Sequence, residues 1–140
     1  MTYANGTEAL NYDLKTSTTV SAAGYILTND STNNTLDLAA TTEIGLCISA
    51  DESSRDAAGD LETSSATVAA YPLGGTLLVA AKASDVFTTG ITVYVGAGGL
   101  ATVTAGSDKK LGLYVGSGVT ASSTAGETLV EVATGGAAIA

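Results

Sequence analysis

The chain has 140 residues, 14 acidic against five basic side chains, a formal net charge of −9, and neither histidine nor tryptophan. A chain this acidic repels phosphate backbones and anionic bilayers, which argues against nucleic acid and membrane surfaces as partners. Without histidine there is no Ser-His-Asp triad, no Cys-His pair and no histidine metal site, and the single Cys47 excludes an intramolecular disulfide framework.

The length suits one domain. The apolar fraction is 45%, but alanine supplies much of it, with one Phe and six Tyr. A thin core of Val, Ile, Leu and Tyr is expected, which suits a compact all-β barrel or sandwich supported by oligomerisation. No apolar run reaches the length of a transmembrane helix. Met1–Glu8 has neither the basic nor the apolar region of a secretory signal, so none is expected.

Residues 8–20 alternate. Leu10, Tyr12, Leu14, Thr16, Thr18 and Val20 share one face, and Asn11, Asp13, Lys15, Ser17 and Thr19 the other. Period two predicts a half-buried strand. It is either an N-terminal strand of the core or an arm, residues 1–20, that adds to the sheet edge of a partner. In the second case Leu10, Tyr12 and Leu14 are the binding residues. Residues 21–140 then form the β domain.

Gly24-Tyr-Ile-Leu27 opens the next strand, Asn29–Asn34 is a turn, and Glu43–Ser49 is a strand with Ile44, Leu46 and Ile48 expected inside. Cys47 reads as a small, half-buried hydrophobe. Residues 50–66 are a polar insertion carrying Asp51, Glu52, Asp56, Asp60 and Glu62. A solvated loop explains them; a calcium site or a carboxylate pair for hydrolysis is the sharper alternative. Tyr71-Pro72 marks an edge or a turn. Leu77–Ser84 reads as a buried strand passing into a short helical turn, and Phe87 as a core anchor.

Gly90–Val115 carries three strand-like runs, Ile91–Val95, Leu100–Thr104 and Leu111–Val115. Gly96-Ala-Gly-Gly99 joins the first two as a hairpin, and Gly106–Lys109 turns into the third. Val93 belongs to the predicted core, as do Leu111, Leu113 and Val115, which lie two apart. No glycine pair forms a phosphate loop or a dinucleotide fingerprint.

The chain also resembles itself. Ile44-Gly-Leu-Cys-Ile matches Leu111-Gly-Leu-Tyr-Val, with Gly45 lying 21 residues after Gly24 and Gly112 lying 22 after Gly90. A polar loop and an apolar run containing Gly-Gly follow each. A degenerate two-fold repeat of one β unit is expected.

In order, Gly90-Ile-Thr-Val-Tyr-Val with Leu100-Ala-Thr-Val, then Lys110-Leu-Gly-Leu-Tyr-Val, then Gly126-Glu-Thr-Leu-Val-Glu-Val132 resemble the small decoration (cement) proteins of tailed-bacteriophage heads. Leu77–Ser84 fits as the preceding strand. The likeness covers about residues 68–133, and more loosely 20–50. The acidic 50–66 insertion and the alternating N-terminus depart from it. The resemblance implies a homotrimer on the outer surface of the virion. There it would bind the major capsid protein and stabilise the shell, with no cofactor and no catalytic residues. The alternatives are another structural β module (tail tube, fibre or surface layer) and, further off, a metal-dependent hydrolase.

Overall fold

The computed structural model describes residues 8–30, 34–106 and 109–135. The molecule is nearly all β. The first sheet contains β1 (Leu10–Asp13), β2 (Ile26–Asp30), β3 (Thr35–Leu38), β4 (Cys47–Ser49) and β5 (Thr67–Pro72), in the order β1-β5-β4-β2-β3. The second contains β6 (Gly75–Ala80), β8 (Thr92–Gly96), β9 (Leu100–Thr102), β10 (Lys110–Tyr114) and β12 (Leu129–Thr134), in the order β6-β12-β10-β8-β9. A short ribbon pairs β7 (Val86–Phe87) with β11 (Val119–Thr120).

Both sheets are antiparallel ladders, and their connectivity is the same. In each, the first strand flanks the last, and a hairpin lies at the other side. In each, the outer strands then meet. Leu14 bridges Leu36 in parallel, and Ala81 bridges Ala101 likewise. One main-chain bond follows each bridge: Lys15 N–H donates to Leu36 O at 2.9 Å, and Lys82 N–H to Ala101 O at 2.8 Å. Each sheet therefore coils until its edges touch at one point, which pairs there the groups that an open edge would leave unpaired.

The turns beyond these bridges also correspond. Ser17 and Ser84 stand two residues after the lysines, and both adopt left-handed backbone, with φ of 72° and 63°. The next residue is Thr18 in one sheet and Asp85 in the other. Thr18 Oγ1 donates to Asp37 Oδ1 at 2.8 Å, whereas Asp85 Oδ2 accepts from Thr102 Oγ1 at 2.7 Å. The same carboxylates take a main-chain donor, Leu38 N–H at 2.8 Å and Val103 N–H at 3.1 Å. One clasp thus recurs with its two side chains exchanged.

Two clusters form the interior. Leu14, Val20, Leu27, Leu36, Cys47 and Val68 fill one, with Tyr12 and Tyr25 packed against it. The larger gathers Leu77, Val79, Phe87, Val93, Val95, Leu111, Tyr114, Val130 and Val132, together with Ile26 and Ile48 from the opposite face of the first sheet. Both faces of β2 and β4 are covered, so Ile26 and Leu27 are buried in succession, as are Cys47 and Ile48. The Phe87 and Tyr114 rings lie 5.5 Å apart at 54°, a tilted aromatic pair at the heart of the larger cluster. Gly45 lies where the sheets meet. A Cβ there would come within 2.8 Å of Ile26 Cγ2 and 3.3 Å of Leu111 Cδ1.

Of the predicted core, Ile48, Phe87, Val93 and Leu111 are fully buried. Ile44, Leu46, Leu113 and Val115 are not: they are 61%, 47%, 38% and 45% exposed. In β10 a bulge is responsible. The pairing with β8 shifts between Lys110 and Gly112, leaving Leu111 as the extra residue. One extra residue exchanges the faces of everything after it. Tyr114 is carried inside, while Leu113 and Val115 turn out. Gly112 holds the bulged strand close, because a Cβ there would land on the Ala133 carbonyl of β12. Ile44 and Leu46 precede the strand, which begins at Cys47. They flank the packed Gly45, and both point to solvent.

The predicted alternating strand over residues 8–20 is shorter than expected. It pairs with β5 from Leu10↔Ala70 to Asp13↔Thr67, then bridges β3 at Leu14 and turns at Ser17. Leu77–Ala80 is a strand as expected, but it runs into an irregular turn at Ser84 rather than a helical one.

Two outcomes follow. Leu111→Ala should lose about 2–5 kcal/mol, the cost of a truncated buried leucine, while Leu113→Asp should shift stability by less than about 1 kcal/mol. Thermal and urea denaturation followed by circular dichroism measure both. Deleting residues 1–14 should also lower the melting temperature, since it removes a paired strand and the buried Leu14.

Candidate interaction surface

The first candidates are the three N-terminal residues. Leu10 is 52% exposed at the start of β1, Tyr12 is half-buried against the smaller cluster, and Leu14 is only 3% exposed. Leu14 is thus a core residue, not one offered to a partner, because the strand pairs within its own sheet and closes it. Tyr12 faces the same interior. Burial raises its phenol above the ordinary range, and the nearby Cys47 adds to the effect.

The acidic insertion resolves into local ties. Arg55 Nη2 lies 2.8 Å from Glu52 Oε2, its Nε donates to Glu52 Oε1 at 2.9 Å, and its Nη1 donates to Gly59 O at 2.6 Å. This fork holds the Glu52 carboxyl below its usual range. Asp56 Oδ1 accepts the Ala58 and Asp60 N–H groups at 2.9 and 3.0 Å, a side-chain-capped turn. Glu62 N–H donates to Ser54 O, and Ser53 ties the loop to Val20 through its Oγ and its own N–H. The Glu52 and Asp56 carboxylates thus serve the loop itself. Among the described residues no group of three or more Asp, Glu or Cys is placed to hold a metal ion.

Polar groups inside the core are likewise engaged in structure. Ser49 Oγ donates to Ala22 O and accepts from Tyr25 N–H, and Thr134 Oγ1 donates to Gly75 O and accepts from Gly74 N–H. Among the described residues no buried side-chain oxygen or nitrogen lacks a partner.

Exposed apolar side chains are the remaining signal. Ile44, Leu46, Val86, Leu113, Val115, Leu129 and Leu10 are all between 38% and 61% exposed. Leu113 stands on the outer face of β10 and Val115 just past its end; Ala133 is opposite Leu113, and Val115 N–H donates to Glu131 O on β12. Ile44 and Leu46 occupy the loop before β4. Sequence reasoning placed all four inside, since their two-residue spacing is what a core face shows. Single exposed apolar residues are ordinary on any protein. Here they include two residue pairs, Ile44 with Leu46 and Leu113 with Val115, each spaced two apart along the chain.

Cys47 is not a reactive thiol. It is 2% exposed, and burial pushes its pKa up to about 12 from the ordinary 9.0. Burial also raises Tyr114, whose hydroxyl donates to Ser117 O, with a smaller push from Glu131. Both groups are held in their neutral, protonated form. The unfolded chain releases these protons at lower pH than the folded one, so it binds fewer protons in alkali and stability falls as pH rises from 9 toward 12. The melting temperature should drop across that window, and Cys47→Val should flatten the drop. Native protein should also fail to react with a thiol reagent until it is denatured.

Among the described residues no helix is long and apolar enough to cross a membrane. No protein-family model matches the chain, and no curated protein matches it.

Proposed function

We propose that this chain is a structural protein that binds other protein surfaces, and that its surface is the outside of a tailed-phage head, where it acts as a trimeric decoration protein. The observation that carries the reading is the set of exposed apolar side chains on a small, tightly stitched β framework. Among the described residues every buried polar side-chain atom has a hydrogen-bond partner, which supports a role carried by the surface. The resemblance of residues 68–133 to head decoration proteins supplies the kind of surface, the major capsid protein.

With Leu14 buried and Tyr12 packed against the smaller cluster, the candidate binding residues become the exposed Ile44, Leu46, Leu113 and Val115 in place of an N-terminal arm. The mechanism is mass action. A ligand that binds the assembled lattice and not separated subunits stabilises the lattice. A trimer repeats each weak contact three times, and effective concentration multiplies their strength.

Sedimentation should give a trimer, alone or on the particle. Co-sedimentation with undecorated heads should show saturable binding, with many copies per particle. Leu46→Lys and Leu113→Lys, at exposed positions, should weaken either trimer or head binding while leaving the melting temperature within a few degrees. A monomer that binds no heads, or that is found only on tails or fibres, would overturn the reading.

A further inference from the structure

The two coiled sheets correspond at their seams in all but one respect. In the first, Lys15 follows the bridge, and its Nζ lies 3.8 Å from Asp37 Oδ2 on β3. In the second, Lys82 follows the bridge, but the place of Asp37 is taken by Thr102. The carboxylate of that clasp has moved to Asp85, where Thr102 Oγ1 and Val103 N–H occupy it. Among the described residues Lys82 is in no ion pair. The exchange of side chains that preserves the clasp deprives the lysine of its counter-ion, in a chain with a net charge of −9.

A cleft of about 300 Å³ opens at this spot, and Lys82 lines it. Its other walls come from Gly96, Ala97, Leu100 and Thr102 of the β8–β9 hairpin, Thr104 beyond β9, and Thr41 from the loop of the first sheet. The walls are mostly carbon, and Lys82 is the one charged residue among those that line them. At the equivalent seam of the first sheet a cleft of similar volume is lined by Asp13, Leu14, Thr16, Thr35 and Ser65. That one offers a carboxylate and hydroxyls in place of a cation.

We propose that the cleft at Lys82 binds an aliphatic carboxylate: a short apolar group seated on Leu100 and Ala97, with its carboxylate on the lysine ammonium. The ligand supplies the negative charge that Asp37 supplies to Lys15. Two sources carry this chemistry, a free short-chain acid and an acidic side chain beside an apolar one in a peptide segment. The proposal does not depend on the head-binding reading.

The test is amide chemical-shift mapping of the full chain, titrated separately with hexanoate, hexan-1-ol and the capped dipeptide acetyl-Leu-Glu-amide. Saturable shifts at Lys82, Leu100 and Thr104 with hexanoate, and weaker ones with the alcohol, support a free acid. Shifts with the dipeptide alone support a peptide source. Lys82→Met keeps the side chain's length and should weaken either ligand by about tenfold or more, the scale of a charge-assisted hydrogen bond. Lys82→Arg should retain binding, and Lys15→Met should leave it unchanged. Lys82 is exposed, so these variants should melt as the parent does; if Lys82→Met does not fold, Lys82→Gln takes its place. No shift with hexanoate or the dipeptide at millimolar concentration, or binding unaltered by loss of the Lys82 charge, overturns the proposal.

Discussion

The fold depends on the closure of each sheet by one parallel bridge and one main-chain hydrogen bond. A five-stranded ladder from a chain with one Phe and no Trp has little apolar area to spare, and an open edge would leave a row of N–H and C=O groups to water or to another chain. Coiling the sheet until Leu14 meets Leu36, and Ala81 meets Ala101, joins the two edges at one point and wraps small side chains around the interior. The carboxylate clasps then fix the turns that follow. Thr18 with Asp37, and Asp85 with Thr102, tie the chain leaving each first strand to the far strand of the hairpin.

The sheets meet through positions where a side chain would not fit. Gly45 presses on Ile26 and Leu111, and Gly99 carries its N–H to Ala39 O. Ala80 N–H reaches Gly24 O across the same junction. Main-chain bonds between the sheets, added to the shared cluster around Ile26, Ile48 and Phe87, make one body of two similar layers.

Much of this was legible in the residues, and the parts that were not have definite causes. Glycine-bounded β-branched runs marked β8, β9 and β10, and the hairpin through Gly96–Gly99 formed as its turn residues require. The all-β class followed from the same signals. The orientation of β10 did not, because a bulge at Leu111 is invisible to a period-two reading and exchanges Leu113 with Tyr114. The closure of the sheets was also hidden. It rests on main-chain groups of Lys15 and Lys82, which any residue but proline would supply. The 50–66 insertion read as a solvated loop with a cation site as the alternative, and spacing alone does not reveal that Arg55 and the turn amides engage Glu52 and Asp56.

The exchanged clasp bears on how such a chain can change. Thr18–Asp37 and Asp85–Thr102 satisfy one requirement, a carboxylate shared between a hydroxyl and an amide, from opposite ends. A residue-by-residue comparison scores two mismatches where the physics has none, because the constraint belongs to the pair. Moving from one arrangement to the other by single substitutions passes through two threonines or two aspartates. Two threonines keep a neutral contact and lose a charge-assisted bond; two aspartates set like charges side by side in a half-buried turn, the costlier state. The hydroxyl pair is therefore the passable intermediate, and the charge of the neighbouring lysine is left to find another partner each time the carboxylate changes strand.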